Sequence, residues 1–305
     1  MLLMKRNSPS AFVLVGPTAS GKSAVAQRLA EQTGTSIISA DSMNIYRGMD
    51  IGTAKPSSAE RARVQTWGVD LADPAEPFSV GDWLRAVRPA FDTAQPPIVA
   101  GGTGLYVKCL LQGLDELPPA DEALRERTEK MTLTELQAEA RQAAPEAYEM
   151  LADKENPRRL VRLIEQGGQS RTTWQNELPV VVGLHVERDV LHRRIAERVD
   201  KMYAGGLLDE ARRLLGLELS ATAQHAIGYA EAFAVLRGEC SAAEAKEKTI
   251  VRTRQLSKRQ MTWFRHQLNV EWIETACCSD VGQLADKVYN IWRERGPVPL
   301  AGVCL

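Results

Sequence analysis

Residues Gly16-Pro17-Thr18-Ala19-Ser20-Gly21-Lys22-Ser23 match the pattern G-x-x-x-x-G-K-[ST]. A glycine-rich turn of this kind points successive backbone N–H groups at phosphate oxygens, and the helix that follows adds the favourable end of its dipole. Lys22 brings a cation to the phosphates, the Ser23 hydroxyl is the candidate ligand for Mg²⁺, and Thr18 and Ser20 add hydroxyl donors. The pattern specifies phosphate binding without specifying which phosphate.

Three further groups stand where a sheet of parallel strands gathers its ligands, just past the strand ends. Asp41 closes the apolar run Ile37-Ile38-Ser39-Ala40. It reads either as an acid that organises Mg²⁺ or as a general base facing an acceptor. Gly101-Gly102-Thr103-Gly104 ends another run with no acid, a hydroxyl at Thr103, and two glycines that let a neighbouring backbone or a ligand come close. Arg194 and Arg198 follow the run Val180–Val186, and arginines entering a helical insertion at such a point can clamp a group that is being transferred.

The elements that must position these groups follow from the apolar pattern. Strands are expected at Phe12–Val15, Ser36–Ser39, Ile98–Ala100, Val180–Val186 and Val270–Ile273, with helices such as Ser23–Glu31 between them. This alternation predicts an α/β fold, a P-loop NTPase-like parallel sheet flanked by helices, with helical insertions. Core residues would be 1–198 and 248–295, with a helical segment at about 120–170 inserted. Residues 199–247 read as a lid-like helical insertion broken at Gly205-Gly206, Gly216, Gly228 and Gly238, and 296–305 as a loose tail.

The chain of 305 residues carries a net charge of −1, so global charge does not announce a nucleic-acid binder. Two basic clusters do stand out: Arg158, Arg159 and Arg162 after Pro157, and seven Lys or Arg against one acid between Lys246 and Arg265. The cysteines Cys109, Cys240, Cys277, Cys278 and Cys304 form no C-x-x-C pair, which fits reduced thiols better than disulfides or a zinc site. No apolar run approaches the roughly 20 residues of a membrane-spanning helix, and the P-loop follows too soon for a cleavable leader. A cytoplasmic protein, and by default a monomer, is the expectation.

The run Ser39-Ala40-Asp41-Ser42-Met43-Asn44-Ile45-Tyr46-Arg47-Gly48-Met49-Asp50-Ile51-Gly52-Thr53-Ala54-Lys55-Pro56, taken with the P-loop, resembles the tRNA dimethylallyltransferases, also called tRNA isopentenyltransferases. Gly101–Tyr106, Asn156-Pro157-Arg158-Arg159-Leu160 and Thr253–Trp263 match in the same order, so the resemblance spans about residues 12–274. It is of the bacterial type. Asn44 stands where Gln is frequent, Ala230 where a basic residue is usual after Gly228-Tyr229, and Trp67-Gly68-Val69-Asp70 where a histidine would be expected.

The resemblance implies transfer of a dimethylallyl group from dimethylallyl diphosphate to the N6 amine of adenosine 37, 3′ to the anticodon, in tRNAs reading codons that begin with U. The diphosphate role then falls on Gly16 to Ser23 with Arg198 opposite, the general base on Asp41, and a further catalytic role on Thr103. Contacts to the tRNA anticodon loop fall on Asp41, Ser42, Met43, Asn44, Thr103, Arg125, Arg158, Arg159, Leu160, Val161 and Arg162. Two other readings compete: a small-molecule P-loop kinase with ATP in the loop, and a P-loop RNA-binding protein without chemistry. The kinase accounts for the loop and the arginines but leaves the 39–56 run and the arginine cluster unexplained.

Overall fold

The computed structural model describes residues 9–114, 122–151, 153–167 and 177–303. Its elements in chain order are β1 (Ser10–Val15), α1 (Lys22–Thr33), β2 (Ile37–Ser39), α2 (Ser58–Arg63), β3 (Thr66–Trp67), α3 (Val80–Val87), β4 (Ile98–Gly101) and α4 (Gly104–Gln112). Four helices follow: α5 (Glu122–Glu129), α6 (Leu133–Ala143), α7 (Pro145–Glu149) and α8 (Pro157–Gln166). Then come β5 (Val180–His185), α9 (Arg188–Ala204), α10 (Leu207–Leu214), α11 (Ala221–Gln224), α12 (Tyr229–Leu236), α13 (Ala242–Gln267), β6 (Asn269–Glu274), α14 (Val281–Arg295) and β7 (Val298–Pro299). The chain divides into two compact units, 1–113 with 175–305, and 114–174.

In the first unit the strand order is β3-β2-β4-β1-β5-β6, parallel throughout, with β7 antiparallel to β1. The central strands read as unbroken apolar runs because helices cover both faces of a parallel sheet. Leu14, Ile98, Val182 and Leu184 pack against Val25, Ala26, Leu29 and Ala30 of α1 and Leu284, Ala285, Val288 and Trp292 of α14. Each large side chain so buried contributes about 1.5–3 kcal/mol. α1 stops at Gly34, which takes the left-handed conformation (φ 71°) and returns its amide to the Ala30 carbonyl.

The expected strands all form, within two residues of the sequence reading at each end. Two do not announce themselves in the sequence, β3 and β7, each only two residues long. The reading of 296–305 as a loose tail is corrected over its described part. Val298 pairs with Ala11, the Leu300 amide donates to the Pro9 carbonyl, the Gly302 amide donates to the Leu110 carbonyl, and Leu300 and Val303 are buried. The stretch 199–247 is helical, with Gly206 and Gly228 at the starts of α10 and α12, and it belongs to the first unit.

The second unit, where described, is α5 to α8 around Leu136, Ala140, Ala144, Tyr148, Leu160, Leu163 and Ile164. Pro145 and Pro157 each occupy a first turn, where a missing N–H costs nothing.

Candidate active site at the carboxyl edge of the sheet

Parallel pairing in register brings the carboxyl ends of β1, β2, β4 and β5 to one edge: Val15 lies beside Gly101 and Gly183, and Ser39 beside Ala100. Each strand then releases its loop at the same level. From β1 comes the P-loop, whose turn is set by Ala19 (φ 63°) and Gly21 (φ 92°) in left-handed conformations before α1 begins. The Lys22 ammonium folds back to donate to the Pro17 carbonyl at 3.2 Å, while Ser23 is exposed at the first turn of α1. The Ser20 hydroxyl is buried and has no partner, which leaves a donor for a bound oxygen.

The loops after β2 and β4 are stitched together. The Thr103 amide donates to the Ala40 carbonyl at 3.0 Å, the Ser42 amide donates to Thr103 Oγ1 at 3.0 Å, and that hydroxyl donates to Ser42 Oγ at 3.3 Å. Asp41 Oδ1 accepts the Met43 amide at 2.9 Å, an Asx-type turn that fixes the carboxylate. A Cβ on Gly101 would lie 2.1 Å from the Ala40 carbonyl oxygen, and one on Gly102 would lie 2.4 Å from Gln260 Nε2. The glycine pair therefore admits a backbone on one side and a side chain on the other.

That side chain is a strap. Gln260 on α13 accepts the Thr18 amide at 2.8 Å and donates to the Gly102 carbonyl at 3.0 Å, tying the P-loop to the β4 loop. Trp263, one turn on, fills the space beside Gly104, and Phe264 is fully buried. Two of the basic residues of α13 are committed to ion pairs, Lys246 with Asp200 at 2.5 Å and Arg252 with Glu231; Lys258, Arg259 and Arg265 are exposed.

Charge is concentrated around the P-loop. Burial pushes the Lys22 ammonium down to about 8; the Asp41 carboxylate works against that shift and the Arg198 guanidinium adds to it. Burial also lowers Arg198, again opposed by Asp41. Two cations and one carboxylate thus share the edge, a balance that an incoming anion would complete. Arg198, on α9, donates to the Thr53 carbonyl at 3.2 Å.

Thr53 belongs to a loop held from both sides. Buried Glu210 on α10 accepts the Ile51 amide at 2.9 Å and the hydroxyl of buried Tyr229, which in turn accepts the Gly52 amide at 3.2 Å. Lys55, also buried, pairs with Asp50 at 2.5 Å and Asp70 at 2.6 Å and donates to the Tyr46 carbonyl at 2.7 Å. The Asp50–Lys55 run is thus a structural knot, and Asp70, in the stretch where a histidine would be expected, is one of its members. Gln260, Glu210 and Tyr229 were not legible as site residues. Gln260 sits in the Thr253–Trp263 run, where the basic residues carry the stronger signal, and Glu210 looks like any acid of an amphipathic helix.

The first unit therefore brings together Gly16 to Ser23, Asp41 to Asn44, Thr103 and Arg198. Asn44 is buried, donates from Nδ2 to Ser39 Oγ at 3.1 Å, and leaves Oδ1 without a partner. The remaining expected RNA contacts are carried by the second unit. Arg158 and Arg159 are exposed at the first turn of α8, Arg162 pairs with Glu165 at 2.8 Å, and Leu160 and Val161 pack into or against the core. Leu160 is fully buried, so its side chain serves packing. Arg125 falls on α5, and its side chain lies outside the described residues.

The family described as IPP transferase matches residues 44–267, and the one described as Isopentenyl transferase matches 9–67. The chain belongs to the IPP transferase family. A relative named tRNA dimethylallyltransferase from Geobacter sulfurreducens is 39% identical, covering 86% of this chain and 91% of that protein. Another of the same name from Chromohalobacter salexigens is 38% identical over 95% of this chain and 99% of that protein. Among solved structures, the tRNA isopentenylpyrophosphate transferase of Bacillus halodurans is 33% identical with a TM-score of 0.69, covering 94% of this chain and 98% of that one. A eukaryotic dimethylallyltransferase acting on tRNA shares the fold at a TM-score of 0.79 and 20% identity, covering 95% and 81%. As an IPP transferase, the chain has a P-loop NTPase-like fold serving prenyl transfer, and the kinase reading falls away. No helix among the described residues is long and apolar enough to cross a membrane.

Proposed function

We propose that this IPP transferase moves the dimethylallyl group of dimethylallyl diphosphate onto the N6 amine of adenosine 37 in tRNAs that read codons beginning with U, in the cytoplasm. The observation that carries this reading is the single edge where Lys22, Arg198 and Asp41 sit within one another's electrostatic reach.

In the reaction the N6 nitrogen attacks the allylic carbon, the carbon–oxygen bond to diphosphate breaks, and one proton leaves the nitrogen. Negative charge grows on the departing diphosphate, where P-loop amides, Lys22 and Arg198 stabilise it. The exocyclic amine is a poor nucleophile because its lone pair is delocalised into the purine, and its N–H becomes acidic only as the new C–N bond forms; Asp41, held by the Met43 amide, takes the proton at or after that point. Thr103 positions the Ser42 backbone beside it. The adenosine leaves its stack to reach this edge, as duplex- or loop-bound bases do for other base-modifying enzymes, and Arg158 and Arg159 hold the RNA backbone.

Mg²⁺ fits the donor set. No group of three or more His, Cys, Asp or Glu among the described residues could hold a metal alone, and Mg²⁺ takes its ligands chiefly from substrate phosphates and water, with one or two protein oxygens. Ser23 would supply one such oxygen, and the ion would share the charge of the leaving diphosphate.

The test is to incubate the protein and Mg²⁺ with unmodified tRNA and either dimethylallyl diphosphate or ATP, digest the RNA and weigh its nucleosides. Prenylated adenosine mapping to the position 3′ to the anticodon is expected. Phosphate transfer from ATP with no prenyl adduct would sink the proposal.

A further inference from the structure

Away from the site described above, one cluster of reactive groups has no part in prenyl transfer. Cys277 and Cys278 lie just past the carboxyl end of β6, Cys277 in the short turn Thr275–Cys277 and Cys278 immediately after it. Cys277 is exposed and Cys278 half-buried, with the two sulfurs 3.8 Å apart. From the second turn of α14 the Lys287 ammonium donates to Cys277 Sγ at 2.9 Å. We propose that Cys277 is a site of reversible S-thiolation, a nucleophilic surface thiol that exchanges with low-molecular-weight disulfides.

The geometry separates the roles of the two cysteines. In its thiol form Cys277 donates to the Glu274 carbonyl, 2.6 Å away. Once ionised, its sulfur has the Lys287 ammonium on one side and the Cys278 S–H on the other, and both stabilise a thiolate. The Lys287 hydrogen bond, aided by Cys278, holds Cys277 below the ordinary thiol value despite some desolvation. Burial and the neighbouring Cys277 push Cys278 the other way, so it stays protonated while its neighbour reacts. The buried Cys109 is raised by burial to about 11 and has no access to solvent. Only a thiolate attacks a disulfide, and exposure gives the in-line approach the attack needs.

The exchange balances without any further reagent. The Cys277 thiolate attacks one sulfur of the small disulfide, a new sulfur–sulfur bond forms, and the old one breaks. Its electron pair departs on the small thiolate, which takes up the proton that Cys277 gave to solvent. A second small thiol reverses the step. Lys287 acts as a positioning cation for Cys277, and neither group touches the P-loop, Asp41, Thr103 or Arg198.

The test uses the full chain and oxidised glutathione, read by intact mass and peptide mapping. One adduct, on Cys277, is expected. Cys277→Ser should abolish it, and Cys278→Ser should leave it in place. Lys287→Met should slow labelling of the folded protein severalfold, because the loss of thiolate outweighs the gain in intrinsic nucleophilicity. In urea the two proteins should label at the same rate, which separates the ammonium's effect from any change in local sequence. An adduct mapping to Cys278 or Cys240, or an unchanged rate for folded Lys287→Met, overturns the proposal.

Discussion

At the scale of single residues the site depends on charges placed against the cost of burial. Lys22 carries its charge in the free protein only up to about pH 8, and a diphosphate binds that charged form. Its affinity should therefore be full below that value and fall as pH climbs through it towards the higher pKa of the complex. Titration calorimetry with inorganic diphosphate from about pH 6.5 to about pH 9.5 checks this, with Lys22→Met expected to bind weakly and without the slope. An affinity that stays level across the range would remove Lys22 from the phosphate contacts. Asp41→Asn should cost at least about a hundredfold in prenyl transfer while leaving diphosphate binding nearly intact; a fully active variant would need another base. The P-loop was legible in the sequence because its eight positions carry their chemistry in their residue types. Asp41 was legible as a position, while its choice between metal acid and base came from the resemblance. Gln260 was not legible, because an amide that accepts from one loop and donates to another leaves no trace in spacing.

Between elements, the loop of residues 50–55 is where three helices are tied to the chain that follows β2. Glu210 reaches it from α10, Tyr229 from α12 and Arg198 from α9. Glu210→Ala would strip the Ile51 amide of its partner and leave the buried Tyr229 hydroxyl, which still accepts the Gly52 amide, without an acceptor for its proton. The expected cost is about 2–4 kcal/mol of stability, seen as a lower midpoint in urea unfolding; a midpoint within error of the parent would mean the loop finds other partners. Tyr229→Phe keeps the ring and loses one hydroxyl, so its cost should be nearer 1 kcal/mol. Gln260→Leu should weaken diphosphate binding with little change in melting, since it severs the strap between two loops while filling the same volume. Sequence reading found the helices of 199–247 and their glycine breaks, because amphipathic spacing and glycines are local signals. It could not find the buried acid that anchors them, because a carboxylate looks the same on either face of a helix until its partners are known.

For the whole molecule, one unit holds the candidate site and the other carries exposed arginines at the start of α8. Arg158→Ala combined with Arg159→Ala should weaken tRNA binding across sequences and reduce its salt slope by about one or two counterions, read from filter binding over a range of salt. An unaltered slope would make those arginines solubilising surface. The parallel sheet was legible from apolar runs alternating with helices, whereas β3 and β7 were not, since two residues have no period. The stretch 296–303 is instructive: Gly296, Pro297, Pro299 and Gly302 give it the composition of a loose end, yet Leu300 and Val303 are buried. The strap described above also bears on how the protein is made. Thr18 and Gln260 are 242 residues apart, and β1 waits for β5 before it has both parallel neighbours. On a ribosome adding about 5–20 residues per second, the phosphate loop emerges on the order of ten seconds or more before its strap. During that interval a nascent chain has the motif but not the walls, so the catalytic edge comes into being only when most of the chain has left the exit tunnel.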